Sequence, residues 1–242
     1  MTPRFHCPDP LPPGGRVDLP QEAAHHAQRV LRLREGEDII LFDGCGGEWL
    51  ARIDAYKPVP CATLLRHDPQ DRQPPIQVTL VQGLPSGDKM DWVIQKAVEL
   101  GVAAIQPVAA RRSVVRLSGD KAERRGRHWQ GVVVSACEQC GRNLVPMVAP
   151  LLDLPQYLAT PAQDNESRWV LLPDAPLALR DLPPPQGPLT LLIGPEGGLD
   201  EGEQLAAQAA GFTPVRFGPR ILRTETAGPA ALAAIMALWG DL

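Results

Sequence analysis

The hydrophobic pattern of roughly the first seventy residues is that of short strands. Apolar runs at residues 38–42 and 49–53 lie on either side of the glycine-rich turn DGCGG, a pattern typical of a β-hairpin. One segment with helical spacing lies near residues 21–31. We therefore predict a small β-barrel with one helix for this part of the chain.

Farther along, strand-like apolar runs alternate with helical patterns. The runs at residues 78–82, 105–108 and 169–172 have the length and apolar character of buried strands. The segments at residues 90–100 and 124–140 have helical spacing. Strands that alternate with helices are typical of a parallel sheet covered by helices, so we predict a parallel α/β domain.

Two polar segments that contain proline interrupt these patterns. HDPQDRQPP at residues 67–75 is typical of a linker, and LPPPQGP at residues 182–188 is typical of a surface connection. We predict the barrel domain at residues 1–70 and the α/β domain at residues 75–242.

The most informative local pattern follows the apolar run at residues 189–193. Gly194 and Pro195 end this predicted strand abruptly. Gly197 and Gly198 allow positive φ and leave room for a ligand to lie against the backbone. In open α/β sheets, ligands bind at the carboxyl ends of the strands, so this turn predicts a binding crevice.

A helix is predicted directly after this turn. Asp200 and Glu203 have the spacing of a capping box, and Gly211 is placed to end the helix. The acidic residues near the helix start disfavour a phosphate ligand and favour a cationic or zwitterionic one. Neither GxxxxGK[ST] nor GxGxxG occurs, so a nucleotide-binding loop is not indicated. The acidic residues are Glu196, Asp200, Glu201 and Glu203.

A second turn of the same kind follows residues 215–217. Gly218 and Pro219 end this predicted strand, and RTET at residues 223–226 precedes an apolar helix that runs to Trp239. The turn therefore places charged and hydroxyl groups beside the first glycine turn. A simpler interpretation stays open, in which Thr226 caps the helix and Arg223 pairs with Glu225 on the surface.

Six motifs are spread along nearly the whole chain. Four are long, namely GPEGG, GPRILRTETA, DKMDWVIQKAVELGV and ACEQCGRNLVP, and two short ones, RVLRL and FDG, lie near the start. Together they resemble the RsmE family of ribosomal RNA methyltransferases, within the SPOUT superfamily.

The resemblance implies a reaction and an architecture. The reaction is methyl transfer from S-adenosyl-L-methionine to N3 of one uridine near the decoding centre of 16S ribosomal RNA, uridine 1498 in standard rRNA numbering. The catalytic domain is expected to be a SPOUT-type α/β fold with a deep trefoil knot, and the first domain a PUA-like RNA-binding barrel. A homodimer is expected, with the apolar final helix ALAAIMALW at or near the interface, although burial of this helix in its own domain stays open.

The expected reaction suggests catalytic roles for four residues. The uracil N3 proton must leave as the methyl group arrives, so we expect Arg223 to stabilise or orient a uracil oxygen. Glu138 or Glu225 is the expected proton acceptor, and Arg142 is expected to order the site. Alternatively, Glu138 and Arg142 form a structural ion pair beside the pocket.

Binding residues follow from the positions that match the family. Cofactor contacts are expected from three pocket loops, mostly through backbone atoms, and RNA contacts from both domains; a structural role for His26 stays open. The cofactor-binding residues are Leu172, Pro173, Ile193, Gly194, Pro195, Glu196, Gly197, Gly198, Phe217, Gly218, Ile221 and Leu222. The RNA-binding residues are Arg4, His26, Arg29 and Arg32 on the barrel and Arg112 on the catalytic domain.

Charge is distributed unevenly along the chain. The net charge is −4, which is unusual for an RNA-binding protein, because lysine and arginine supply most non-specific affinity for phosphates. Two basic clusters offset this, although each alone is also consistent with a solvated surface. One comprises Arg111, Arg112, Arg116, Lys121, Arg124, Arg125 and Arg127, and the other Arg29, Arg32 and Arg34.

The composition predicts an ordinary globular protein. Of the 242 residues, 44% are hydrophobic, enough for a substantial core. We expect a cytoplasmic location, because the sequence contains neither an apolar signal core nor a membrane-length apolar run. Cys137 and Cys140 share one face of a predicted helix, so neither redox catalysis nor a metal site is expected from them.

Two other functions remain open from the sequence. A SPOUT methyltransferase acting on another RNA would keep both glycine turns. A non-enzymatic RNA-binding assembly factor would use the barrel and the basic clusters alone, but the intact GPEGG and RILRTETA motifs argue against it.

Overall fold

The computed structural model describes residues 2–242, which form two compact units. The first unit contains the chain up to Gln73 together with Val134–Val145, and the second contains Pro74–Val133 and Pro146–Leu242. The predicted boundaries at residues 70 and 75 did not anticipate that residues 134–145 contact the first unit. The helix that carries the CxxC motif therefore contributes its last turns to the first unit.

The first unit is built on a five-stranded mixed sheet. Its strand order is β1-β3-β4-β5-β2, in which β1 and β3 are parallel and the other pairs are antiparallel. The predicted helix is α-helical for five residues and continues as a π-helix at His26–Val30. The elements are β1 Arg4–His6, β2 Gly15–Asp18, α1 Gln21–His25, β3 Asp38–Phe42, β4 Glu48–Ala55 and β5 Cys61–Asp68.

The core of the first unit follows the alternation of its strands. Ile39 and Leu41 on β3 and Ile53 on β4 are completely buried. Ala23 and Ala27 of the helical segment join the same cluster. The period of two along each strand thus directs one face of the sheet toward this core.

The segment predicted as a linker is structured. β5 extends to Asp68, and the Asp71 carboxylate accepts a hydrogen bond from the Gly47 N–H at 2.9 Å. Arg72 donates to the Gly141 carbonyl at 2.8 Å and pairs with Glu48. The division between the two units, after Gln73, lies within the segment predicted as a linker, and polar side chains of this segment bind backbone and side-chain groups of the first unit.

The second unit is an α/β structure with an eight-stranded, fully parallel sheet. The strand order is β11-β13-β10-β12-β6-β7-β8, with β9 also paired to β7. The strands are β6 Val78–Gly83, β7 Ala104–Ala109, β8 Met147–Val148, β9 Leu152–Asp153, β10 Ser167–Leu171, β11 Leu177–Ala178, β12 Leu189–Ile193 and β13 Thr213–Arg216. The helices are α2 Lys89–Glu99, α3 Gly119–Cys140, α4 Leu154–Leu158, α5 Glu201–Ala209 and α6 Thr224–Trp239, with a short 3₁₀ turn at Leu179–Asp181.

The central strands explain the continuous apolar runs of the sequence. Every residue of β12 is buried, because the strand lies between β10 and β6 and is covered on both faces. Since all pairings in this sheet are parallel, the carboxyl ends of the strands lie at one edge. The loops after β10, β12 and β13 therefore emerge side by side.

The final helix is largely buried within its own unit. It packs against α2, β6 and β12, and Leu232, Ile235 and Met236 are completely buried. Leu238 lies on its exposed side with 50% of its surface accessible. Among residues 2–242, none of the helices combines the length and apolarity that crossing a bilayer requires.

Candidate active site

A cavity of about 530 Å³ lies at the carboxyl ends of the parallel strands of the second unit. Its walls come from the loops after β10, β12 and β13 and from the first turn of α6. The volume is in the range that holds a small molecule of cofactor size. The cavity is therefore the crevice that the two glycine turns predict.

The loop after β12 has the predicted geometry. Asp200 caps α5, since its carboxylate accepts the Glu203 N–H at 2.7 Å, and Glu203 accepts the Asp200 N–H at 2.9 Å. Gly198 has a φ of +67°, and a side chain at this position would meet no atom within 4 Å. The capping box is confirmed, and the loop leaves open space beside its backbone.

A close backbone contact fixes the start of this loop. A Cβ atom at Gly83, the last residue of β6, would lie 2.6 Å from the Pro195 nitrogen. Only glycine permits such an approach, so the end of β6 and the loop after β12 are in direct backbone contact. Local sequence patterns around Gly83 did not indicate this role.

Glu196 is held as an anion at the cavity wall. One of its oxygens accepts hydrogen bonds from the Ser86 N–H at 2.9 Å, the Ser86 hydroxyl at 2.6 Å and the Lys89 ammonium at 3.1 Å. Burial alone would raise the pKa of Glu196, but these hydrogen bonds outweigh it and lower the pKa to about 2. The carboxylate thus remains ionised at neutral pH.

Glu225 supplies a second carboxylate to the cavity. Its Oε1 lies 3.4 Å from the Lys89 ammonium, so Lys89 bridges Glu196 and Glu225. Its Oε2 is buried and has no hydrogen-bond partner among the described residues. A buried acceptor without a partner is costly, which makes this oxygen a suitable acceptor for a donor group on a ligand.

Arg223 is one of three cations that line the cavity, together with Lys89 and Arg220. It lines the cavity, is exposed, and forms neither an ion pair nor a side-chain hydrogen bond within residues 2–242. The suggested surface pair of Arg223 with Glu225 is absent there, because Glu225 pairs with Lys89. Thr226 is not the N-cap, since α6 begins two residues earlier and Arg223 occupies the cap position.

Most predicted cofactor residues are together in this cavity. Eleven of the twelve line it, and the exception is Gly197, whose carbonyl accepts a hydrogen bond from Arg112 at 3.0 Å. The resemblance to the family implied all three loops, and the glycines of two of them also predicted a crevice at this edge of the sheet. Seven other residues also line the cavity. Lys89 lies in the motif DKMDWVIQKAVELGV, and Arg220, Thr224 and Ala227 lie in GPRILRTETA, whereas Leu171, Leu199 and Gln204 belong to no motif.

The predicted catalytic residues divide between the two units. Arg223 and Glu225 line the cavity of the second unit, whereas Glu138 and Arg142 belong to the first. Glu138 accepts the His6 N–H at 3.0 Å, and burial raises the pKa of its carboxyl group above the usual range. Arg142 is buried and donates to the Gln73 side-chain oxygen at 2.6 Å.

The predicted RNA-binding residues are not equally accessible. His26, Arg29 and Arg32 are exposed on the first unit, and Arg112 is exposed on the second. Arg4 is different, because its side chain is only 8% exposed and is paired with Glu48. An RNA phosphate could reach this guanidinium only if the buried pair opened. The contacts of Arg4 are therefore those of a residue that stabilises the first unit.

The cysteine pair has the surroundings of a structural element. Cys137 and Cys140 lie on α3, as predicted, and neither forms a disulfide. Burial raises the pKa of the Cys137 thiol to about 12. A thiol with this pKa is protonated at neutral pH and is therefore a poor nucleophile and a poor metal ligand.

Comparisons with known proteins agree with the cavity and the two units. A family model described as an RNA methyltransferase domain matches residues 72–236, and one described as an RNA methyltransferase PUA domain matches residues 19–55. The Ribosomal RNA small subunit methyltransferase E of Bacillus subtilis is 35% identical over 224 residues, covering 88% of this chain and 87% of the relative. The Synechocystis protein of the same name is 35% identical over 229 residues, covering 92% of this chain and 73% of the relative.

A solved structure also matches the whole chain. The Ribosomal RNA small subunit methyltransferase E of Neisseria gonorrhoeae, bound to S-adenosyl methionine, is 43% identical, covers all of both chains and superposes with a TM-score of 0.93. Both the matched models and the full-length relatives point to one family. The chain belongs to the RNA methyltransferase family that includes Ribosomal RNA small subunit methyltransferase E.

Proposed function

We propose that this protein transfers a methyl group from S-adenosyl-L-methionine to N3 of one uridine, position 1498, in 16S ribosomal RNA. The proposal rests on a glycine-lined cavity that offers two carboxylates, Glu196 and Glu225, together with Arg223, which has no side-chain partner among the described residues. The names of full-length relatives supply the RNA class and the reaction class.

The carboxylates of the cavity fit the positive charges of this cofactor. The cofactor carries a sulfonium and an ammonium group, and the cavity offers two carboxylates, one of which has a buried oxygen without a partner in the described structure. The bare backbone at Gly194, Gly198 and Gly218 would hold its neutral parts. When bound, the cofactor supplies an electrophilic methyl group.

Arg223 is the residue proposed to act on the uracil. Removal of the N3 proton leaves negative charge that is shared with the neighbouring carbonyl oxygens of the ring. A guanidinium without an internal partner can donate two hydrogen bonds to such an oxygen at no structural cost. Arg223 therefore lowers the energy of the anionic form and orients the ring.

The proton acceptor is proposed to be Glu138 or Glu225. Glu225 lies at the cavity wall, with its Oε1 3.4 Å from the Lys89 ammonium and its buried Oε2 without a hydrogen-bond partner among the described residues. Burial raises the pKa of the Glu138 carboxyl group, which makes its carboxylate a stronger base. Arg142 keeps the positioning role proposed for it.

Arg29 and Arg32 are proposed to bind RNA phosphates. Replacing both by alanine should weaken RNA binding and reduce the slope of log affinity against log salt by about 2, because two phosphate contacts are lost. Affinity for the cofactor should not change. Fluorescence anisotropy with a 16S fragment at several salt concentrations measures both quantities.

The matched control for this pair removes two exposed arginines of the same unit that are paired with carboxylates. Arg16 pairs with Asp54 and Arg52 with Asp38, so the Arg16→Ala/Arg52→Ala variant changes the net charge equally. If both double variants showed the same salt slope, general charge rather than a specific contact would explain RNA binding.

Assembly and location complete the proposal. We propose a homodimer that acts in the cytoplasm on free 16S rRNA or on the assembled small subunit, with the trefoil knot of the family formed by the last loops and α6.

A direct test uses S-adenosylmethionine with a tritiated methyl group. Unmodified small subunits should acquire the label, and large subunits should not. Label on both, or on large subunits alone, would favour the alternative of a methyltransferase that acts on another RNA.

A further inference from the structure

A buried hydroxyl group connects three segments around the cavity. Thr224 is the first residue of α6 and is 5% exposed. Its hydroxyl donates to the Gly194 carbonyl at 2.6 Å and accepts from the Gln82 side-chain nitrogen at 2.9 Å. Gln82 lies near the end of β6 and Gly194 directly after β12, so the hydroxyl joins β6, the loop after β12 and the start of α6.

The direction of each hydrogen bond is fixed by chemistry. The Gly194 carbonyl can only accept, so the single hydroxyl proton of Thr224 must point toward it. The lone pairs of the hydroxyl then face Gln82, which must present its NH₂ group. The same NH₂ group donates to the Gly83 carbonyl at 2.9 Å. The orientations of both side chains are thus determined by the two backbone carbonyls.

This arrangement has a cost that points to a role beyond stability. Gln82 is completely buried, and its Oε1 has no hydrogen-bond partner among the residues described. An unsatisfied buried oxygen destabilises the fold, and a leucine of similar volume would avoid this penalty. Gln82 therefore holds Thr224 and the end of β6 in place, although its unsatisfied oxygen lowers the free energy of unfolding.

We infer that Thr224, oriented by Gln82, is a positioning residue that holds the two glycine-bearing loops of the cavity in the arrangement that binds the cofactor. The inference rests on the proposed function for the identity of that cofactor. Thr224 acts through the Gly194 carbonyl and the start of α6, which carries Arg223 and Glu225. The hydroxyl thus links the loop after β12 to the proposed catalytic arginine.

The test compares two substitutions of Thr224 that differ in the hydroxyl group. Thr224→Val keeps the branched shape and removes the hydroxyl, whereas Thr224→Ser keeps the hydroxyl. We expect S-adenosylmethionine to bind Thr224→Val roughly tenfold more weakly, because two buried hydrogen bonds are lost. Thr224→Ser should bind nearly as well as the unmodified protein. Isothermal titration calorimetry measures these affinities.

Thr190→Val is the matched control. Thr190 is also a buried threonine of the second unit, and its hydroxyl bonds to Glu166 rather than to a residue of the cavity wall. This variant should lose stability without losing cofactor affinity. Equal losses of affinity in Thr190→Val and Thr224→Val would overturn the inference, because general destabilisation would then explain both.

Hydrogen exchange in the cofactor-free protein separates this inference from the proposed function. Amides of the loop at residues 194–199 should exchange faster in Thr224→Val than in Thr224→Ser or Thr190→Val. Unchanged exchange together with unchanged affinity would overturn the inference. If the unmodified protein failed to bind S-adenosylmethionine, the proposed function would fail, while the exchange comparison would still decide whether Thr224 holds the loop.

Discussion

Replacing Arg223 by alanine is expected to lower the rate of methyl transfer by about 100- to 1,000-fold, the usual effect of removing one donor that stabilises a developing anion. The stability of the folded protein should not change, because the guanidinium has no partner within the described structure and is exposed. Cofactor affinity should change little, since the cofactor loops present mainly backbone atoms. Single-turnover kinetics with small subunits and calorimetric cofactor titration measure the two effects separately.

Two further variants make this test specific. Arg223→Lys keeps the charge but loses the planar, two-pronged donor, so it should restore only part of the rate. Arg180→Ala removes an exposed arginine, with a side chain 84% accessible, from elsewhere in the same unit and should retain full activity. Full turnover by Arg223→Ala would remove the main catalytic assignment.

Replacing Arg168 by methionine is expected to destabilise the second unit by about 3–5 kcal/mol, as found when one partner of a buried ion pair is removed. The side chains of Arg168 and Glu166 are 6% and 4% exposed, and their charged groups lie 2.9 Å apart. Arg168 also donates to the carbonyls of Pro161 and Ala210 and stacks on Phe212. One side chain therefore ties the loop after α4 and the end of α5 to β10.

Thermal unfolding measures this effect. A loss of this size should lower the melting temperature by roughly 10 °C in a protein of this length. The double variant Glu166→Gln/Arg168→Met should recover part of the loss, because the carboxylate is no longer left buried without its partner. An unchanged melting temperature in Arg168→Met would show that the pair contributes little to the fold.

Features set by neighbouring residues could be predicted from the sequence. The bounds of β12 and β3 were correct, and the Asp200–Glu203 capping box was confirmed. Each depends on a short apolar run or on side chains three residues apart. The position of the cavity could be inferred because parallel strands place their carboxyl ends at one edge, and the glycine turns follow two such strands.

Features that depend on long-range contacts could not be predicted. Gln82 and Thr224 are 142 positions apart, and no local pattern indicates their hydrogen bond. Lys89 lies on an amphipathic helix, where its bridge to Glu196 and Glu225 leaves no sequence signal. Arg4 matched a family position expected to contact RNA, yet it is buried against Glu48 and Asn143, which are distant in sequence.

Nucleoside mass spectrometry tests the proposed function most directly, with unmodified small ribosomal subunits that have been incubated with the protein and S-adenosylmethionine. We predict newly formed N3-methyluridine at a single site in the decoding region of the 16S rRNA. Absence of this nucleoside, in a preparation shown to bind the cofactor, or its formation only at other sites, would contradict the proposed function.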